Sequence, residues 1–126
     1  MNGGGFWSSL IRTMQSAADG LNMAIGQRNM SHVEQHHLLS NKHQIYTPQY
    51  KEIADRYGYR LDHSSNIVSL SDHQGRHTNA YHDFMYLSIT ELDNIAAGSP
   101  TLFVDGMIKI GQFVSDHPWL PYAKYK

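Results

Sequence analysis

Residues 66–84 read NIVSLSDHQGRHTNAYHDF, and two kinds of periodicity meet within them. Asn66 opens a run of β-branched residues with a period near two, which predicts a strand over residues 66–70. The following SDHQGRH predicts a turn or the entry to a helix. From residue 79 to 97 the apolar residues recur at helical spacing, and Gly98 is a stop signal. The stretch therefore predicts a strand, a turn and a helix that together carry several histidines.

The segment before this stretch predicts a second short strand and a helix. The tandem histidines that open HHLLS at residues 36–40 favour a strand or a strand end. Thr47 and Pro48 are a helix start, with Thr47 as the N-cap and Pro48 in the first turn. This helix is expected to end at Gly58. The polar residues 27–35 are predicted to be a connector.

Helices are also predicted near both ends of the chain. Residues 6–25 place apolar side chains three and four positions apart, which is typical of one helical face. Ser99 and Pro100 repeat the cap-and-proline start, and a last amphipathic helix is expected to run to about Ser115. The tail that follows is predicted to be irregular. Together the elements predict a mostly helical, single α+β domain with a small two-stranded unit.

Composition excludes several classes of function. The chain has 126 residues, of which 40% are hydrophobic and 17% charged, so a packed core is feasible. Ten Lys and Arg against 11 Asp and Glu exclude binding to nucleic acid by bulk charge alone. The absence of cysteine excludes disulfides, thiolate zinc sites and cysteine nucleophiles. No apolar run reaches the roughly 18 residues of a membrane span, and Met1–Gly5 lack a signal-peptide pattern.

Histidine is the unusual component of this composition. There are nine histidines, nearly as many as all Lys and Arg residues together, and seven of them fall between positions 36 and 82. Imidazoles bind transition metals and exchange protons near neutral pH. A cysteine-free chain with this density of histidine therefore favours metal ligation or proton transfer.

The spacing of the histidines suggests a division of labour. Neighbouring residues of a strand point to opposite faces, so His36 and His37 are expected to separate into one metal ligand and one base. His73 and His77 can converge if they share a helical turn. Three imidazoles leave positions for water and a phosphate oxygen, and an unligated histidine can deprotonate that water.

At these residues the chain resembles the HNH/endonuclease VII superfamily. Within it, the chain is similar to the AHH-type nuclease domains at the C-termini of bacterial polymorphic toxins. The resemblance runs from Gln35 to Phe84 and rests on HHLLSNK, YTPQYKEIADRYGYRLD, NIVSL and HQGRHTNAYHDF. Gln35 stands where the family name implies Ala. The resemblance implies a ββα-metal unit, with residues 1–30 as leader and linker to a carrier and residues 31–126 as the nuclease toxin domain.

The resemblance also implies roles for individual residues. His37 is expected to be the general base, oriented by Asn66, and His82 is an alternative ligand or a neighbour of the ligands. Arg76 either holds a phosphate or is a solvated turn residue. The cofactor is expected to be one divalent ion, Zn, Mg, Mn or Ni. Its ligands are expected to be three histidines: His36, His73 and His77.

A mildly basic, tyrosine-rich stretch lies between residues 42 and 60. Such a stretch can follow a nucleic-acid backbone, although its tyrosines can equally well pack and its lysines remain solvated. The cations expected to bind substrate are Lys42, Lys51, Arg56 and Arg60.

These observations favour a metal-dependent endonuclease, most of all a non-specific DNase that acts as an antibacterial toxin. An RNase of the same fold and a non-enzymatic histidine–zinc interaction domain are the alternatives. The expected partners are nucleic acid, with DNA preferred to RNA, and a cognate immunity protein. We expect a monomer without membrane insertion, delivered by secretion into the cytoplasm of a target bacterial cell.

Overall fold

A computed structural model describes residues 3–23, 28–73 and 76–126, with side chains in 5–23, 33–70 and 76–126. Within these ranges the helices are α1 (Gly3–Asp19), α2 (Tyr46–Ala54), α3 (Asn79–Ala96) and α4 (Pro100–Asp116). The strands are β1 (Leu21–Asn22), β2 (Arg28–His37), β3 (Ile67–His73) and β4 (Lys124–Tyr125). Short 3-10 turns span Asp55–Tyr57, Ser64–Asn66 and Leu120–Tyr122. The predicted α+β class and the ββα order of β2, β3 and α3 are confirmed.

An antiparallel ribbon of β2 and β3 carries the tandem histidines. His36 pairs with Val68 and His37 with Ile67, and the register is interrupted between Asn29 and Val33. The prediction that residues 27–35 form a connector was wrong, since β2 covers 28–35. Residues 33–35 of β2 are exposed on both faces of the strand. Because neither face packs on the core, the sequence here lacks the alternation of apolar and polar residues from which a strand is predicted.

The two ends of the chain meet in a second small sheet. α1 ends at Asp19, six residues earlier than predicted, and Leu21 of β1 then pairs with Tyr125 of β4. The tail predicted to be irregular therefore contains a 3-10 turn and a strand. The sequence did not predict this strand because a strand of two residues is defined by its pairing with a distant segment and not by a local pattern.

The core lies around α3, which packs against α1, α2 and α4. α3 and α4 approach closely, because a Cβ atom added to Gly106 would lie 2.0 Å from Leu92 Cδ1. Gly98, with φ of 90°, makes the turn between these helices in a conformation that favours glycine. The largest fully buried side chains come from every helix and include Leu10, Met14, Tyr50, Tyr81, Ile89, Phe103 and Ile110.

The N-terminal helix is part of this core. Leu10, Met14 and Ala18 of α1 are buried in the same cluster as the residues of α3. The boundary predicted after residue 30 falls inside β2, so the fold does not separate a leader from the rest at that position. A link from residues 1–30 to a carrier stays a prediction.

Candidate active site

A cleft at the junction of the ribbon, α3 and the segment before α2 gathers four histidines. We call it the histidine cleft; its volume is about 680 Å³. Nδ1 of His36 and Nε2 of His77 are hydrogen-bonded at 3.1 Å, and the two rings meet edge to edge with centroids 5.2 Å apart and an angle of 26° between their planes. Ring centroids are 6.3 Å apart between His77 and His82 and 4.8 Å apart between His82 and His43. The residues that line the cleft are His36, Ser40, Lys42, His43, Arg76, His77, Asn79 and His82.

The buried Asn66 side chain fixes the chain that follows the tandem histidines. Its amide oxygen accepts the Leu39 N–H at 2.8 Å, and its amide nitrogen donates to the carbonyls of Leu39 at 3.1 Å and Leu61 at 2.8 Å. Both amide protons are therefore used on backbone. The expectation that Asn66 orients His37 is corrected: Asn66 satisfies backbone groups that burial would otherwise leave unpaired.

His77 is held by the start of α3, although it lies outside the helix. The next residue, Thr78, is the N-cap of α3 and accepts the Tyr81 N–H. The Thr78 N–H donates to the Pro121 carbonyl at 3.0 Å, and its hydroxyl donates to the Ala123 carbonyl. The Tyr81 ring meets the His77 ring edge-on at 5.1 Å. His77 thus sits at a point clamped between α3 and the C-terminal segment.

The tautomer of His82 is set by Tyr50. The Tyr50 hydroxyl donates its single proton to the His82 carbonyl at 2.9 Å. The same oxygen lies 3.2 Å from His82 Nδ1, so it accepts a hydrogen bond from Nδ1–H. His82 Nε2 therefore carries a lone pair, and the ring lines the histidine cleft. A buried imidazole with this tautomer can bind an ion or accept a proton.

Two of these imidazoles are held neutral. Burial, and then repulsion from His36, His82 and His37, lower the pKa of His77 to about 4. Burial, followed by repulsion from His43, lowers the pKa of His82 to about 4, against an opposing effect of Asp83. Neutral imidazoles are the form that ligates metal ions, so the cleft is prepared for an ion at neutral pH.

The facing nitrogens of His36 and His77 fit a divalent metal ion. Two nitrogens bound at about 2.0–2.1 Å to a tetrahedral zinc ion lie about 3.3 Å from each other, close to the observed 3.1 Å. No group of three or more His, Asp or Glu side chains among the described residues is assembled for a metal. The pair accordingly supplies two adjacent ligands. Any further ligand has to be a water molecule, a described side chain that moves toward the ion, or a side chain outside the described ones.

The other predicted members of the histidine set are placed differently. His37 is half-buried and does not line the cleft, as expected for the neighbour of His36 on a strand. His73 is the last residue of β3, and its side chain lies outside the described residues. The condition under which His73 and His77 were expected to converge, a shared helical turn, is not met, because His73 ends a strand and His77 precedes the α3 N-cap.

The predicted substrate cations do not form one surface. Lys42 and Arg76 line the histidine cleft. Lys51 and Arg60 line a separate groove of about 450 Å³, together with two acidic residues. Only the first pair is therefore placed to contact a phosphate held at the histidines.

Two of the predicted cations are engaged by carboxylates. Arg56 Nη1 lies 2.5 Å from an Asp93 carboxylate oxygen. Arg60 Nε lies 3.2 Å from Asp62. Both acidic partners, Asp93 and Asp62, lie outside residues 42–60, so the charge of that stretch alone did not reveal them.

Sequence reasoning missed His43 and Tyr50 as residues of this site. A signal existed, because His43 directly follows Lys42 in the short loop after the tandem histidines.

Thr47 was predicted to be the N-cap of α2, but the helix begins at Tyr46. The Thr47 hydroxyl accepts the His43 N–H at 2.8 Å and donates to the Ser40 carbonyl at 2.7 Å. Thr47 thus shapes the loop that presents His43.

A histidine-lined cleft beside a two-stranded ribbon and the helix that follows it fits the arrangement expected of a nuclease of the HNH/ENDO VII superfamily. A family model, described as AHH, "a nuclease family of the HNH/ENDO VII superfamily with conserved AHH", matches residues 18–101. The chain belongs to this AHH nuclease family and is an HNH-type endonuclease, a phosphodiester hydrolase. No curated protein and no solved structure matches the chain significantly. No helix within the described residues has the length and apolar character to cross a membrane.

Proposed function

We propose that this endonuclease depends on a divalent metal ion, which His36 and His77 hold in the histidine cleft. The observation that carries the proposal is the 3.1 Å separation of His36 Nδ1 and His77 Nε2. When bound, the ion supplies positive charge that stabilises a phosphodiester as negative charge builds up on its oxygens. His73, also predicted to be a ligand, is the proposed candidate to complete the site, together with water. His82, the alternative ligand predicted from the sequence, is the competing candidate, and as a ligand it would have no lone pair left to act as a base.

We propose His82 as the residue that takes the proton from the attacking water. Its Nε2 lone pair belongs to a ring that lines the cleft, and Tyr50 holds Nδ1 in the protonated form. After proton transfer the ring is an imidazolium whose Nδ1–H still donates to Tyr50. His37, the base predicted from the sequence, does not line the cleft and is the competing assignment.

The same cleft offers contacts for the phosphate backbone. Lys42 and Arg76 line it, and α3 begins beside it at Asn79. A helix N-terminus favours an anion, and an arginine binds phosphate with two hydrogen bonds. These contacts carry no sequence information, which supports cleavage with little sequence preference. DNA is the proposed substrate, and RNA is the alternative.

The proposed biological role is that of an antibacterial toxin effector. The support is the resemblance to AHH domains of bacterial polymorphic toxins, in which a carrier delivers the nuclease into the cytoplasm of a target cell. In the same proposal the producing cell makes an immunity protein that covers the cleft, and the domain acts as a monomer. Co-purification with the product of a neighbouring reading frame, and survival of cells that express both, would test this role.

Cleavage of supercoiled plasmid by the purified chain tests the enzymatic proposal. Cleavage is expected with Mg, Mn, Zn or Ni and is expected to stop on chelation and resume when metal is restored. A parallel assay on structured RNA compares the two substrates. Metal binding without cleavage of either substrate would favour the histidine–zinc interaction domain.

A further inference from the structure

His43 is fixed by the backbone of the turn that leads into α2. Its Nδ1 atom lies 3.1 Å from the backbone N–H of Ile45 and 3.1 Å from that of Tyr46, and it accepts from both. An atom that accepts two N–H groups carries no proton. A neutral His43 therefore has its proton on Nε2.

Because Nδ1 faces the backbone of the turn, the Nε2 edge is the part of the His43 ring left to line the histidine cleft. His43 lines the cleft together with His36, His77 and His82, and its ring meets the His82 ring at 4.8 Å and 64°. Within the described residues, no protein acceptor is hydrogen-bonded to His43 Nε2. The Nε2–H group of His43 thus lies beside the cleft and donates no hydrogen bond to the described protein atoms.

His43 and His82 consequently offer opposite chemistry from adjacent rings. Tyr50 keeps the proton of His82 on Nδ1, which leaves Nε2 as an acceptor, whereas the α2 turn keeps the proton of His43 on Nε2. A phosphodiester group and its attacking water need both: an acceptor for the water proton and a donor for the phosphate oxygen. Both tautomers are set from α2: that of His43 by the backbone N–H groups at the helix start, and that of His82 by the Tyr50 side chain one turn later.

We propose that His43 donates its Nε2–H to a non-bridging oxygen of the scissile phosphate. This role rests on the proposed endonuclease function and adds a substrate-contacting residue to it. The hydrogen bond strengthens as charge develops on that oxygen during attack, so its main effect is on turnover and not on ground-state binding. No bond to His43 forms or breaks in the step.

Two substitutions separate the donor from the backbone contact. In His43→Asn the side-chain oxygen takes the place of Nδ1 as an acceptor for the N–H groups of Ile45 and Tyr46, and the cleft-facing donor is lost. In His43→Gln the amide nitrogen extends toward the position of Nε2, and the Nδ1 acceptor is lost. His63→Asn is the matched control, since His63 also accepts a backbone N–H through Nδ1, from Ser65, but does not line the cleft.

Kinetics on bis-p-nitrophenyl phosphate and on plasmid provide the readout, because the small diester has neither base nor sugar. His43→Asn is expected to keep the wild-type Tm and metal affinity and to lose about 10²-fold in kcat on both substrates, with KM little changed. His43→Gln is expected to lower Tm and to retain more of the turnover. Wild-type turnover in His43→Asn would overturn the proposal. If His43→Asn does not fold, a loss in His43→Gln as large as in His43→Ala would overturn it.

A spectroscopic measurement separates this inference from the proposed function. Two-bond ¹H–¹⁵N correlation spectra of the wild-type chain are expected to show His43 protonated at Nε2 and bare at Nδ1. A proton on Nδ1 would overturn the inference even if the enzyme is active. Failure of the wild-type chain to cleave any phosphodiester would instead overturn the proposed function, and the spectrum would still report the tautomer.

Discussion

The Nδ1 atom of His36 and the Nε2 atom of His77 lie 3.1 Å apart across 41 positions of sequence. His36 is near the end of a strand, and His77 precedes a helix cap. Asn66 holds the segment after His36 by a hydrogen bond from the Leu39 N–H, and Thr78 holds the segment of His77 by a hydrogen bond to the Pro121 carbonyl. The juxtaposition therefore depends on two separate sets of hydrogen bonds, a buried set at Asn66 and a part-buried set at Thr78, and the ligands and the residues that hold them give distinct predictions.

His36→Ala and His77→Ala are each expected to weaken metal binding and to leave the fold intact. Because both imidazoles serve one ion, the double variant should lose less affinity than the sum of the two single losses. Titration calorimetry with Zn or Mn measures the affinities, and circular dichroism monitors the fold. His63→Asn is the control. Strictly additive losses would indicate that the two residues bind different ions.

Asn66→Ala is expected to destabilise the whole domain, not to remove one catalytic function. The change leaves the N–H of Leu39 and the carbonyls of Leu39 and Leu61 without their partner in a buried site. The free energy of unfolding should fall by about 2–4 kcal/mol, the cost of a few buried unsatisfied groups. Urea unfolding measures it. A variant of wild-type stability that has lost cleavage would instead restore Asn66 as a partner of the base.

The metal-free protein is expected to lose stability as the pH falls from about 6.5 to about 4. His77 and His82 have a pKa of about 4 in the fold, below the unfolded value of about 6.5. In that window the unfolded chain binds more protons, so the free energy of unfolding falls by at most about 1.4 kcal/mol per pH unit for each histidine. Above this window the two residues contribute no pH dependence.

Chemical unfolding at a series of pH values measures this slope. His77→Gln and His82→Gln should each reduce it, because each removes one group that titrates differently in the two states. Lys109→Gln, on α4 and outside the histidine cleft, is a control without an imidazole. An unchanged slope in both histidine variants would contradict the assignment.

The basic residues are expected to divide into two functional groups. Lys42→Gln and Arg76→Gln should raise KM for plasmid and reduce its salt dependence, because both side chains line the histidine cleft. Arg56→Gln should leave KM unchanged and lower Tm slightly, because it removes the ion pair with Asp93. Cleavage kinetics at several salt concentrations compare the variants. A KM increase for Arg56→Gln equal to that of Lys42→Gln would contradict this division.

Local sequence signals predicted the helices well. Ser99 caps α4 and accepts the Leu102 N–H, Pro100 begins the helix, and Gly98 adopts a positive φ, each as the residue type favours. Such features depend on neighbours within a few positions. For the same reason the strand and the helix after Asn66 could be predicted from residues 66–84 alone, although β3 continues to His73, into the segment predicted to be a turn or helix entry.

Features set by distant partners could not be predicted in this way. β2 extends beyond the segment that its apolar residues predict. Its pairing with β3 defines the strand, and the added residues do not face the core. Asn66 was recognised as important, but its three backbone partners are visible only in the fold. The tautomers of His43 and His82 likewise depend on the α2 turn and on Tyr50, and a histidine's spacing does not reveal which nitrogen carries the proton.

The most direct test of the central claim is an anomalous-scattering map of crystals grown or soaked with Mn or Zn. A metal peak is expected in the histidine cleft, about 2.0–2.3 Å from both His36 Nδ1 and His77 Nε2. The same map identifies the remaining ligands, expected to be His73 and water, and a bond from the metal to His82 Nε2 would exclude His82 as the base. A peak bound by His37 and not by His36, or a metal outside the cleft in an active crystal, would contradict the claim.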